Sequence, residues 1–132
     1  FVIQSYSKQL PVNSERQLGY KQQLEIMQYL EKNEGISPPI LDAKDILLNP
    51  ERLLKILCNK IGINFSKNML SWAKGSRASD GIWGKYWYKS VNKSTGFIPY
   101  KNNNIKLDKE LTTIYKKCME SYMAMYEKRI KL

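Results

Sequence analysis

Apolar residues recur at three- and four-residue intervals along most of this chain, a spacing that predicts helices. Phe1 to Gln9 reads as part of one helix, which Pro11 breaks. Ser14-Glu15-Arg16-Gln17 has capping-box spacing. A helix is expected from there to about Asn33, with Tyr20, Leu24, Met27 and Leu30 as its apolar face and Gly35 as its terminator. Pro38-Pro39 leads into Ile40-Leu41, which reads as a short buried strand ending near Asp42. Asn49-Pro50-Glu51 is a strong helix start: Asn caps, Pro presets the first turn, and Glu suits the positive end of the dipole. Leu53, Leu54, Leu57 and Ile61 form the expected buried face, and Gly62 the stop. Ser66 caps a short helix carrying Met69, Leu70 and Trp72; Lys74 to Gly81 is a loop; Gly81 to Lys93 is dense in aromatics; Pro99 to Asn104 is a second loop. Asp108 caps the last helix, where Leu111, Tyr115, Cys118, Tyr122, Met125 and Arg129 form a stripe. That stripe is too short for a sustained coiled-coil seam, so packing on the chain's own core is expected.

A lone strand carries backbone donors and acceptors that are costly to bury unpaired. Ile40-Leu41 therefore calls for a sheet that these residues do not contain. Phe1 is not an initiator Met, and Phe1-Val2-Ile3 is already apolar. The expectation is the carboxy-terminal part of a larger α/β domain, with residues 1–132 forming part of one domain and the amino-terminal half of the fold lying elsewhere.

Charge narrows the partners. The 132 residues carry 22 Lys plus Arg against 12 Asp plus Glu, a formal net charge of +10. That excess favours an anionic partner, although a basic surface serving only solubility is equally compatible. The lysines are spread out and form no basic block, so nucleic acid ranks below a small phosphorylated molecule. The chain has no His, which removes the commonest general base and metal ligand. Cys58 and Cys118 sit in apolar helical patterns and read as buried thiols. No run has the apolar length of a membrane span, and a cytoplasmic setting is expected.

Lys74-Gly75-Ser76-Arg77-Ala78-Ser79-Asp80-Gly81 is the densest polar stretch. Glycines allow close backbone approach, amides and hydroxyls donate, and Lys74 and Arg77 add charge-assisted bonds. A helix starting after Asp80 would add its dipole. These features suit phosphate, although glycine-serine loops with two basic residues are common on surfaces. Ser5, beside Ser7 and Lys8, is a second candidate, against the plain alternative of a helix-surface serine. Trp83, Tyr86, Trp87 and Tyr88 read first as core, with a ligand-lining role as the alternative. Asp42 and Asp45 flank the expected strand end, where open α/β sheets bind ligands; Asp45 reads equally as a cap.

Taken together, these residues resemble a known family. Phe1 to Gln9, Leu18-Gly19-Tyr20 with Gln22-Gln23, Pro39-Ile40-Leu41-Asp42-Ala43, Asn49-Pro50-Glu51, Leu57-Cys58 and Ile61-Gly62-Ile63 are similar to the bacterial sulfotransferase-family proteins often labelled branched-chain-aminotransferase-like. Met69-Leu70-Ser71-Trp72, Lys74-Gly75-Ser76-Arg77, Asp80-Gly81-Ile82-Trp83, Trp87-Tyr88 and Ser94-Thr95-Gly96-Phe97 are the most specific part. The resemblance runs from Phe1 to about Tyr100. It implies a P-loop, nucleoside-kinase-like three-layer α/β fold, of which this chain would be the helix-rich carboxy-terminal part with one recognisable strand. It also implies the donor 3′-phosphoadenosine 5′-phosphosulfate (PAPS) and sulfuryl transfer to an unknown small-molecule hydroxyl or amine. Ser5 matches the serine that holds the adenosine 3′-phosphate, and Lys74, Gly75, Ser76 and Arg77 match the late basic loop. Trp83, Tyr86 and Trp87 fall to the acceptor side. The early phosphosulfate-binding loop, and the arginine expected just before Phe1, are not in this sequence. Tyr86 stands where family members often carry a histidine, and a phenol, titrating near about 10, is a poor base at neutral pH. The alternative reading is a non-enzymatic basic module that binds nucleotide or nucleic acid.

Overall fold

In the computed structural model, residues 2–102 and 106–131 are described. The Pro99–Asn104 loop expected from sequence lies partly outside them, as does Phe1. The fold is helical, and it divides into two compact units: the described residues of Phe1–Leu41 with Asn102–Arg129, and those of Asp42–Lys101 with Ile130–Leu132.

The first unit contains α1 (Val2–Ser7), α2 (Tyr20–Tyr29) and the long α6 (Lys109–Glu127). Its core gathers Ile3, Leu18, Ile114 and Cys118, with Tyr6, Val12, Tyr20, Leu107 and Leu111 packed around them. The single helix expected from Ser14 to Asn33 is instead three pieces. Glu15–Leu18 is a 3-10 turn, where the Gln17 side-chain oxygen accepts from the Asn13 and Ser14 amides at 2.7 and 3.0 Å. Gly19 then takes φ 75° and breaks the helical path, a conformation that suits glycine because it has no Cβ. After α2 the chain widens into a π-turn over Leu30–Glu34 and stops at Gly35, φ 63°. Asp108 caps α6 by accepting from the Leu111 amide at 2.8 Å. The α6 stripe packs on α2 and the core, as expected: Ile114, Cys118 and Met125 are buried, whereas Tyr115 is exposed. Edge-on packing of Tyr20 against Tyr122, with ring centres 6.1 Å apart, closes the α2–α6 contact.

The second unit is built on α3 (Ala43–Leu48) and α4 (Pro50–Lys60). Asp42, not Asp45, is the α3 cap, accepting from the Lys44 amide at 3.0 Å. Asn49 caps α4 as the sequence predicts, accepting from the Arg52 amide at 3.2 Å. Leu53 is completely buried and Cys58 nearly so, while Ile61, expected on the buried face, is exposed. Cys58 is the position one α-turn after Leu54, so the buried stripe runs to it, and Ile61 lies past the last helical residue. Ser66 caps the 3-10 turn Lys67–Leu70, and Met69 there meets Cys58 at 3.8 Å between sulfurs. The short helix α5 (Gly84–Trp87) follows the basic loop.

Residues 38–41 form no strand; their backbone is irregular. The physical reason is the one the sequence raised: a strand needs a partner ladder, and among the described residues the β-pairing is an isolated antiparallel bridge between Ser71 and Gly96. No described helix is long and apolar enough to cross a membrane.

Candidate functional site

The basic loop belongs to the second unit and is fixed from two sides. On its amino-terminal side, the Trp72 amide donates to the Thr95 carbonyl at 3.0 Å and the Gly75 amide to the Asn92 carbonyl at 2.9 Å. The Trp72 indole N–H reaches the Ser94 hydroxyl at 3.1 Å, and that hydroxyl donates to the Val91 carbonyl at 2.8 Å. Trp72 also packs edge-on against Phe97, with ring centres 5.4 Å apart. On the other side, the Asp80 carboxylate accepts from the Arg77 amide at 2.7 Å, and the Arg77 guanidinium donates to the Ala73 carbonyl at 3.2 Å.

These bonds alter what the loop can offer an anion. The Gly75 and Arg77 amides, expected as donors to a ligand, are already engaged within the protein. The helix dipole expected after Asp80 is not there either: Ala78–Asp80 is a 3-10 turn, and α5 has four residues. What remains is charge and access. Lys74 pairs with no described carboxylate and is exposed. Gly75 sits at φ 112°, and beyond its own chain neighbours no atom lies within 4 Å of where its Cβ would be. The loop is therefore open at Gly75, and its neighbours Lys74, Ser76 and Arg77 are exposed.

The aromatic turn corrects the reading of it as core. Trp83 is 65% exposed and Tyr86 50%, with Trp87 and Tyr88 also exposed. The Trp83 carbonyl accepts from both the Tyr86 and Trp87 amides, so these three residues share one face of a helical turn. Lys85 lies over the Tyr86 ring at 4.9 Å. Gly84 is the tight point: a Cβ there would come within 2.8 Å of the Asp80 Cβ. That close approach joins the aromatic turn to the Asp80 end of the basic loop. A shallow recess of about 400 Å³ is lined by Ser90, Lys93, Ser94, Thr95, Gly96 and their followers up to Pro99. The Asn92 side-chain oxygen is buried with no donor among the described residues; such an acceptor costs roughly 1–3 kcal/mol until a donor reaches it.

Ser5 lies on α1 in the first unit and is exposed. The structure thus brings Lys74, Gly75, Ser76 and Arg77 together with Trp83, Tyr86 and Trp87 in one unit, and places Ser5 in the other. Asp42 and Asp45 serve the start of α3. No His, Cys, Asp or Glu cluster fit for a metal ion occurs among the described residues. The Trp72–Ser94 bond and Lys93 beside the loop were not legible in the residue pattern, because both depend on pairing between segments some twenty residues apart.

A helical frame thus pins a basic loop whose Lys74 is exposed. Sequence comparison then supplies the family. The sulfotransferase domain profile matches residues 1–129, and the chain belongs to that family. It is similar to the branched-chain-amino-acid aminotransferase-like protein 1 of Arabidopsis thaliana, 43% identical over 63 residues, and to protein 2 of the same plant, 41% identical over 63 residues. Each match covers 48% of this chain and 11% of the relative, so the matched part is a small fraction of those proteins' length. No solved structure matches the chain.

Proposed function

We propose that this chain forms the nucleotide side of a sulfotransferase site that uses PAPS, with Lys74, Ser76 and Arg77 around the adenosine 3′-phosphate and Gly75 giving the backbone its close approach. The carrying observation is Lys74: an exposed cation with no described carboxylate partner, held on a pinned loop, in a chain that matches a sulfotransferase domain along residues 1–129. PAPS supplies an activated sulfuryl group when bound. The work of this chain's residues is positioning and charge neutralisation, which dominate transfers of this type. Lys74 and Arg77 offset phosphate charge; the ties from Gly75 to Asn92 and from Arg77 to Asp80 hold the loop in place beforehand. Trp83, Tyr86 and Trp87 offer an exposed aromatic face for the acceptor, a hydroxyl or amine compound. The phosphosulfate-binding loop is not among these residues, so these residues by themselves are proposed to be inactive.

The test is calorimetric titration of adenosine 3′,5′-bisphosphate into the protein expressed from its complete reading frame. A charge-assisted hydrogen bond is worth roughly 1.5–3 kcal/mol, so Arg77→Ala should weaken binding by at least about tenfold. Unchanged affinity would remove the loop from the site.

A further inference from the structure

The chain turns sharply just before α5. The Gly84 amide donates to the Gly81 carbonyl at 3.3 Å, which closes a four-residue turn with Ile82 and Trp83 at its corners. Ile82 is 75% exposed, the most exposed large apolar residue among those described, and Trp83 comes second. Tyr86 and Trp87 lie three and four residues beyond Trp83 on the same helical turn, and both are exposed. A cation belongs to this patch as well, because the Lys85 ammonium lies 4.9 Å from the centre of the Tyr86 ring. Single exposed apolar residues are ordinary, whereas a contiguous apolar patch marks a surface that something covers. The surrounding sequence gives the charge of that partner. From Gly81 to Leu107 the chain carries Lys85, Lys89, Lys93, Lys101 and Lys106, with no Asp or Glu. All five lysines are exposed, and none takes part in an ion pair among the described residues. Asp80, the last carboxylate before the stretch, is engaged with the Arg77 amide. A negative surface attracts such a stretch as a field, over a Debye length of about 10 Å, and needs no fixed geometry for each lysine.

We propose that the Ile82–Trp87 turn docks the protein on an anionic lipid bilayer. Ile82 and Trp83 enter the surface, the remaining rings settle at the headgroups, and Lys85 with the lysines that follow meets the anionic lipids. Ile82 decides between the two large anionic surfaces. On a nucleic acid the rings stack on bases, and an aliphatic side chain at the tip has no ring to stack. At a bilayer an aliphatic tip gains by entering the acyl boundary. The docking is peripheral, since no described helix is long and apolar enough to cross a membrane. It does not rest on the reading of the Lys74 loop as a phosphate site. Where Trp83, Tyr86 and Trp87 meet an acceptor, they meet it at the lipid surface.

The experiment is co-sedimentation of the protein, expressed from its complete reading frame, with two kinds of vesicle: phosphatidylcholine alone, and phosphatidylcholine mixed with phosphatidylserine. The wild type should bind the anionic vesicles, release them as salt rises, and leave the neutral ones largely unbound. Ile82→Ser/Trp83→Ser should lose at least about tenfold in affinity, because the apolar groups that enter the surface are gone. Lys85→Ala and Lys89→Ala should each lose about fivefold, the worth of one lysine at an anionic membrane. Ile26→Ser, at an exposed apolar position on α2 in the other unit, should bind as the wild type does. No binding of the wild type to anionic vesicles at low salt would overturn the proposal, and so would unchanged binding by Ile82→Ser/Trp83→Ser; either result leaves the phosphate reading of the Lys74 loop standing. If that variant instead loses affinity for a single-stranded oligonucleotide, or loses self-association in sedimentation, the turn serves nucleic acid or a second copy and the proposal fails.

Discussion

Trp72 touches the loop's neighbour in three ways, and its replacement measures how firmly the basic loop is held. Trp72→Phe keeps a ring facing Phe97 but removes the indole donor that reaches the Ser94 hydroxyl at 3.1 Å. A neutral hydrogen bond contributes about 0.5–1.5 kcal/mol net. The Ser94 hydroxyl is only partly buried and keeps its bond to the Val91 carbonyl, so water can replace the lost donor and the lower half of that range applies. Trp72→Ala also removes the edge-on contact with Phe97, worth roughly 0.5–1.5 kcal/mol beyond area. With the half-buried ring's apolar surface lost as well, about 2–3 kcal/mol is expected in total. Urea denaturation monitored by circular dichroism gives both values. The same samples titrated with adenosine 3′,5′-bisphosphate give the functional consequence. Trp72 carries no charge, so lost affinity in Trp72→Ala would reflect loop displacement. A stability change within about 0.5 kcal/mol for Trp72→Ala, the range of an indifferent surface position, would refute the claim that this ring pins the loop.

Two further outcomes test the frame. Leu53 is 0% exposed and Ile61 48%, so Leu53→Ala should cost about 2–5 kcal/mol in chemical denaturation and Ile61→Ala well under half of that; equal costs would contradict the placement of the α4 stripe. Burial raises the Cys118 thiol above its ordinary pKa, with Glu15 adding to the rise. A raised thiol pKa means its contribution to stability is complete below the unfolded thiol's pKa and is lost as pH rises through the folded value. Wild-type stability should therefore fall in alkaline solution relative to Cys118→Ala, and aromatic disulfide reagents should label Cys118 more slowly in the native than in the unfolded protein.

Local chemistry was readable along the chain wherever one side chain decides one backbone feature. Asn49, Ser66 and Asp108 cap where their short oxygens predict, and Gly35 and Gly62 terminate with the positive φ that glycine permits. The α6 stripe packs inward because its spacing holds for nearly the whole helix. Gly19 was harder to see. Both the capping box before it and the apolar spacing after it point to helix, and the break between them comes from a φ that the sequence does not display. The aromatic turn went the other way for a reason of scale: large rings usually bury, but Trp83, Tyr86 and Trp87 sit on a four-residue helix with too little surface around it to cover them. The basic loop was visible as composition. That its Gly75 amide is consumed internally follows only from a bond to a distant segment.

The most direct test of the central claim is discrimination for a 3′-phosphate. Adenosine 3′,5′-bisphosphate and adenosine 5′-monophosphate differ by that one group, and calorimetry on the protein expressed from its complete reading frame compares them. The account predicts a preference of at least about tenfold for the bisphosphate, the worth of a charge-assisted contact, and loss of most of that preference in Lys74→Ala/Arg77→Ala. Equal affinity for the two nucleotides, or a preference that survives both substitutions, would contradict it.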